Sequence, residues 1–87
     1  MAEVILPRSL VALVAHSERH ARVEADSVRG VLEELDGRWP GLLDRLCDPG
    51  PVLRTHLNVF VDGERATLDT PVGRDSTVHV IPAVSGG

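Results

Sequence analysis

The sequence predicts a two-layer α+β domain, a mixed sheet of four to five strands packed on one main helix. Three observations predict it. Val28, Val31, Leu32 and Leu35 fall at the i, i+3, i+4, i+7 spacing of one buried helix stripe. Short β-branched runs stand near both ends of the chain and again at residues 57–61, the last closed by the hairpin pair Asp62-Gly63. The 87 residues suffice for one modest core and no second one. Strands on one layer and a helix on the other bury both apolar surfaces against each other.

Glu3-Val4-Ile5-Leu6 is β-branched and apolar and is stopped by Pro7, which reads as a first strand with Val4 and Leu6 on one face and Ile5 on the other. Residues 9–16 are apolar without alternation. They read as a loop with about one helical turn, packed by Leu10 and Leu13. Residues 19–25 alternate, with Ala21 and Val23 on a shared face, as a second strand antiparallel to the first. Asp26 or Ser27 caps the helix. Arg29, Glu33, Glu34 and Asp36 lie outside its stripe, Gly30 marks close packing against the sheet, and Gly37 is placed as its C-terminal stop. Trp39, Leu42, Leu43 and Leu46 predict a short second helical segment over the core, and Asp48-Pro49-Gly50-Pro51 a loop. A strand over 57–61, a return strand over 64–68, a turn through Thr70-Pro71 and a last strand over 77–81 complete the order. The predicted core is Val4, Leu6, Val23, Val28, Leu32, Leu35, Val59, Val61, Val78 and Val80.

Composition excludes several function classes. The net charge of −4 argues against general affinity for nucleic acid, which needs basic patches to neutralise phosphates. One Trp, one Phe and no Tyr leave no aromatic platform for stacking bases. No run is apolar and long enough for a membrane span, and a cytoplasmic location is the expectation. All nine basic residues are arginine, so no internal lysine is available for modification. Cys47 is the single cysteine and cannot form an internal disulfide, which fits a reducing compartment; a persulfide role for it competes with that of a plain buried thiol.

The chemistry concentrates at the end of the chain. A strand runs into Pro82 and then Ala83-Val84-Ser85-Gly86-Gly87. Neither glycine has a Cβ, so nothing crowds the Gly87 carboxylate, and the stretch can thread into another protein's active site. The body is expected over residues 1–82 and a reactive tail over 83–87. Competing signals are weak. His16 and His20 share i, i+4 spacing without completing a zinc motif, His56 and His79 read as sheet-side histidines, and Asp44 and Asp48 as surface carboxylates. No nucleophile–base pair or phosphate-binding glycine loop is present in the spacing, so no metal site and no independent enzyme is expected.

The early strand ending at Pro7, the helix starting at Ser27, the run 57–63 and the tail together resemble the ubiquitin-like sulfur carriers of the MoaD/ThiS family, over nearly the whole chain. Residues 58–63, followed by 78–87, look closest to the CysO type, and the long segment 39–55 suits that type or MoaD better than the more compact ThiS. The resemblance implies a ubiquitin-like β-grasp and a protein co-substrate rather than an enzyme. It implies that an adenylating enzyme of the MoeB/ThiF type uses ATP to activate the Gly87 carboxylate, with no cofactor bound by the chain itself. A sulfur donor then makes a thiocarboxylate, which a biosynthetic enzyme accepts for cysteine or another sulfur-containing metabolite. Gly86 would give clearance in the partners' channels, and Ser85 and Val84 would be contacted by them. Phe60 and Ile81, opposite the core-facing valines, would dock partners if the segment 39–46 does not cover them. A small subunit of molybdopterin synthase and a ubiquitin-like protein modifier are the alternatives that the same tail allows.

Overall fold

The computed structural model describes residues 1–48, 52–53 and 57–82, with residues 48, 52 and 53 described by their backbone alone. Ten elements follow in order: β1 (Ala2–Ile5), α1 (Arg8–Val11), β2 (His20–Val23), α2 (Val28–Arg38), α3 (Leu42–Leu46), β3 (Cys47–Asp48), β4 (Val52–Leu53), β5 (Leu57–Val61), β6 (Glu64–Ala66) and β7 (Thr77–Pro82). Five strands form one mixed sheet in the order β2-β1-β7-β5-β6. Only the β1–β7 pair is parallel; β1–β2, β5–β7 and β5–β6 are antiparallel. The last strand in sequence is therefore the middle strand in space. β3 and β4 pair as a separate two-stranded ribbon.

Alternation along the strands and the stripe on α2 build one core. Val4, Val59, Val78 and Val80 on the sheet meet Val28, Val31, Leu32 and Leu35 on the helix, each no more than 1% exposed. All ten residues of the predicted core are buried. Leu42 and Leu46 of α3 close its side, with Trp39 and Leu43 packed partly against it.

The start of α2 is held from two directions. Ser27 Oγ accepts the Gly30 N–H at 3.1 Å, the N-cap bond that a serine before an apolar stripe offers. The loop after β6 supplies the other acceptors. Thr70 O accepts the Val28 N–H at 3.0 Å and Leu68 O the Arg29 N–H at 2.9 Å. The first three N–H groups of the helix, which have no acceptor inside it, are thus all satisfied.

The Asp62-Gly63 hairpin has positive φ at both residues, 52° and 85°. That is the backbone a two-residue type I′ turn requires. Asp62 also bonds across to the start of β7: its N–H donates to Thr77 O, and its Oδ1 accepts the Thr77 N–H, both at 2.9 Å. The Thr77 N–H bond, and then the Ser76 side chain, hold the Asp62 carboxyl below its ordinary value of 3.8. A carboxyl lowered on folding contributes stability above its unfolded pKa, and that contribution is lost as pH falls through the folded one. Asp62→Asn keeps the turn residue but removes the titration. The urea midpoint of this variant should therefore fall less steeply below pH 4 than that of the wild type; identical acid limbs would show that this contact adds no pH dependence.

Six expectations need correction. Leu13 is 60% exposed and Val14 fills the core instead, at 4%. α1 ends at Val11, so the helical phase that set Leu13 inward is lost before it is reached. Gly37 does not stop α2, which continues to Arg38; the left-handed residue is Gly41, at φ 100°, before α3. Asp36 is not outside: it is half-buried, and its Oδ1 accepts the N–H groups of Gly41 and Leu43 at 3.2 and 2.9 Å. A Cβ on Gly30 would meet Ala25 Cβ at 3.3 Å, so the close approach is to the β2–α2 connection rather than the sheet. The return strand also ends two residues early, at Ala66, with Leu68 buried in the turn beyond it. Asp48, expected in a loop, belongs to β3, and Pro49, Gly50 and Pro51 lie outside the described residues.

Candidate functional site

Val84, Ser85, Gly86 and Gly87, the residues on which the sequence places the chemistry, lie outside the described residues, as does His56. What is described is the platform they follow. β7 runs through the middle of the sheet, and its pairing with β5 continues to Leu57 opposite Pro82. Its pairing with β1 stops earlier, at Ile5 opposite His79, where β1 ends. The last turn-free stretch before the tail is therefore laddered on one side only, and Pro82 has no N–H to offer.

Among the described residues no helix covers the face of the sheet turned away from α2, since α2 and α3 both pack into the core on the other side. Register places one row of side chains straight across it. His20 stands opposite Ile5, Ile5 beside His79, His79 opposite Phe60, and Phe60 opposite Arg65. Phe60 is half-buried, with Val59 and Val61 turned to the core on either side. It lies on the open face rather than under residues 39–46, because Trp39 and Leu43 pack against the core. Ile81 is on the same face, one residue before Pro82, and is 37% exposed. The structure thus brings Phe60 and Ile81 to one surface beside the end of β7. Sequence reasoning missed Ile5, His79 and Arg65 as their neighbours. Only strand register could have found them.

The charge on this face is unlike that of the chain. Its outward positions carry Arg22, Arg65, His20 and His79 and a single carboxylate, Glu3, although the chain has 13 acidic residues. His20 Nδ1 lies 3.9 Å from Glu3 Oε1. Such a surface, apolar in the middle and basic at both ends, suits a partner that is apolar and acidic. Among the described residues no group of three or more His, Cys, Asp or Glu could hold a metal ion. No described helix is long and apolar enough to cross a membrane. Cys47 is buried, 8% exposed, on the core side.

Comparison with known proteins bears on this arrangement. Residues 4–87 match the ThiS family. The sulfur carrier protein CysO of Mycobacterium tuberculosis H37Rv is 26% identical over 76 residues, which cover 80% of this chain and 82% of that protein. The crystal structure of SAMP1 from Haloferax volcanii superposes with a TM-score of 0.81 at 30% identity, covering 99% of this chain and 98% of that one. The crystal structure of a BexX/CysO complex from Amycolatopsis orientalis gives a TM-score of 0.88 at 24% identity with full coverage of both chains, a likeness of fold. The mixed sheet on its helix is the β-grasp of these structures.

Proposed function

The chain belongs to the ThiS family, and from that membership we propose that it is a sulfur carrier of the CysO type, whose Gly87 carboxylate is the point of attachment. The observation that carries the proposal is the central strand β7, which ends at Pro82 and is followed in sequence by Ala83-Val84-Ser85-Gly86-Gly87, in a family match that runs to residue 87. In the first step a carboxylate oxygen of Gly87 attacks the α-phosphate of ATP on a partner enzyme of the MoeB/ThiF type, and pyrophosphate leaves. The acyl-adenylate has an electrophilic carbonyl carbon. Hydrosulfide from a donor adds there, AMP departs with the bonding pair, and a thiocarboxylate remains. A second partner, a biosynthetic enzyme, then takes the sulfur. The body contributes position rather than acid–base chemistry: its docking makes the encounter effectively intramolecular. Gly86 gives clearance in the partner's channel, and Ser85 and Val84 are the residues its walls touch. ATP enters at the partner, and the chain itself holds no cofactor.

Incubation with the adenylating enzyme of the same organism, ATP and sulfide should raise the intact mass by the difference between sulfur and oxygen, and fragmentation should map the change to Gly87. A change mapped elsewhere, or none at all, would overturn the proposal.

Phe60 and Ile81 are the docking residues in this reading, because they are the apolar side chains of the open face beside the end of β7. Phe60→Ala should melt like the wild type and bind the adenylating enzyme about tenfold more weakly, the loss of one interface anchor. Unchanged affinity would remove Phe60 from the interface.

The likeness to SAMP1, the small archaeal modifier protein 1 of Haloferax volcanii, favours a second reading, a ubiquitin-like modifier joined through an amide bond. It uses the same carboxylate and the same activation. The mass experiment separates the two when it is repeated in cell extract, since conjugation adds an entire protein where thiocarboxylation adds one atom exchange.

A further inference from the structure

Around the edge of the sheet from Phe60 and Ile81 lies a groove of about 350 Å³, walled by Pro7, Leu10, Leu13, Leu57 and Pro82, with Arg45 at its side. It is assembled from four places in the sequence: the exit of β1, the α1 turn, α3, and the paired ends of β5 and β7. Its lining is apolar apart from Ser9 and Arg45. Leu13, displaced from the core, is 60% exposed there. Arg45 is exposed in the last turn of α3, and among the described residues no hydrogen bond or ion pair occupies its guanidinium. The volume is at the low end of small-molecule pockets, about 300–1,000 Å³, and offers few converging polar groups. It fits one or two side chains of a protein better than a metabolite.

We infer that this groove is a second docking point for the adenylating enzyme, taking a surface segment of it with a large apolar side chain next to an aspartate or glutamate. The inference rests on the proposed activation of Gly87 and adds where the activating partner grips. Two observations select this occupant. Pro82 is both a wall of the groove and the residue from which residues 83–87 follow. Five residues span at most about 18 Å, so an enzyme that holds Gly87 at its reaction centre has its channel mouth against this groove. The second is charge. One uncommitted guanidinium beside an apolar trough is matched by a carboxylate that it can hold through two parallel hydrogen bonds, flanking an apolar anchor. With Phe60 and Ile81 on one side of the sheet and the groove on the other, the partner holds the end of β7 from both sides. The approach of Gly87 is then fixed rather than swivelling about a single contact.

The test measures affinity for the adenylating enzyme of the same organism by titration calorimetry, using full-length wild type, Leu13→Asp, Arg45→Glu and a Gly87 deletion. Leu13 and Arg45 are exposed, so both groove variants should melt like the wild type. Each should bind about tenfold more weakly, and Arg45→Glu should lose the fall in affinity with added salt that the wild type shows. The Gly87 deletion should keep most of the affinity, since the grip lies on the body. Wild-type affinity in both groove variants overturns the inference, and does so independently of the sulfur chemistry when the wild type still gains its sulfur. If the wild type gains no sulfur yet the groove variants weaken binding, it is the proposed function that fails, and the groove stands as a docking site for that enzyme.

Discussion

Deleting Gly87 should reduce thiocarboxylate formation by at least two orders of magnitude while leaving the melting temperature of the domain unchanged. The shortened chain still ends in a carboxylate, so the effect is one of reach rather than of chemistry. Removing one residue withdraws the reacting oxygen by about 3.5 Å. Attack requires the reacting atoms to be held about 3–3.5 Å apart, and a misplacement of even 1 Å costs on the order of a hundredfold. The described core residues all lie between Ala2 and Val80, and a glycine has no side chain to withdraw from a core. Gly86→Ala should likewise fold normally and react slowly, because its methyl group meets a channel wall that fits glycine. Activity is read as intact mass after a fixed time with adenylating enzyme, ATP and sulfide. A Gly87 deletion that still gains sulfur at the wild-type rate would sink the mechanism. Cys47 is the chain's single thiol; sulfide cannot turn it into a persulfide without a two-electron oxidant, which this mixture lacks, and Cys47→Ser is the control. With Cys47 buried on the core side, the substitution should leave the rate as it was.

The second large effect is on stability. Leu32→Ala should cost about 2–5 kcal/mol, the range for truncating a fully buried leucine whose cavity cannot collapse. Leu32 has no exposed surface and sits mid-helix between the valines of the sheet and the rest of the stripe. Small domains have only about 5–15 kcal/mol in total. The loss should lower the melting temperature by roughly 10 °C or more, at about 4–8 °C per kcal/mol for a domain of this size. Glu33→Ala, one residue on and exposed, is the control and should stay within about 0.5 kcal/mol of wild type. Near-wild-type melting of Leu32→Ala would mean that the buried face of α2 is assigned incorrectly.

The candidate site was legible in two unequal parts. The tail was visible from the sequence, because a terminal glycine pair after an apolar strand is a property of neighbouring residues. That Phe60 and Ile81 face away from Val59 and Val80 was also visible, since alternation along a strand is local. That they share one surface with Ile5, His79 and Arg65 was not, because strand order joins residues dozens of positions apart. The groove at Arg45 was invisible for the same reason: beyond the local pair Leu10 and Leu13, its walls come from segments far apart in the sequence.

By itself the sequence determined what depends on short-range pattern. The stripe on α2, a cap at Asp26 or Ser27, the hairpin turn at Asp62-Gly63, the valine faces of β5 and β7, and the apolar residues of α3 all follow from spacings of eight residues or fewer, which chain geometry converts directly into a face or a turn. Tertiary structure alone decided the rest. It turned Leu13 out and Val14 in, because α1 closes after one turn and the chain must return to pair Leu6 with Arg19. It carried α2 past Gly37, because Asp36 accepts hydrogen bonds from Gly41 and Leu43 and moves the reversal to Gly41. It placed carbonyls from Leu68 and Thr70 on the start of α2, and it made the last strand the middle one by pairing β7 with both β1 and β5. Each of these is a bond or contact between distant segments, whose partner is chosen by what the packed core leaves within reach.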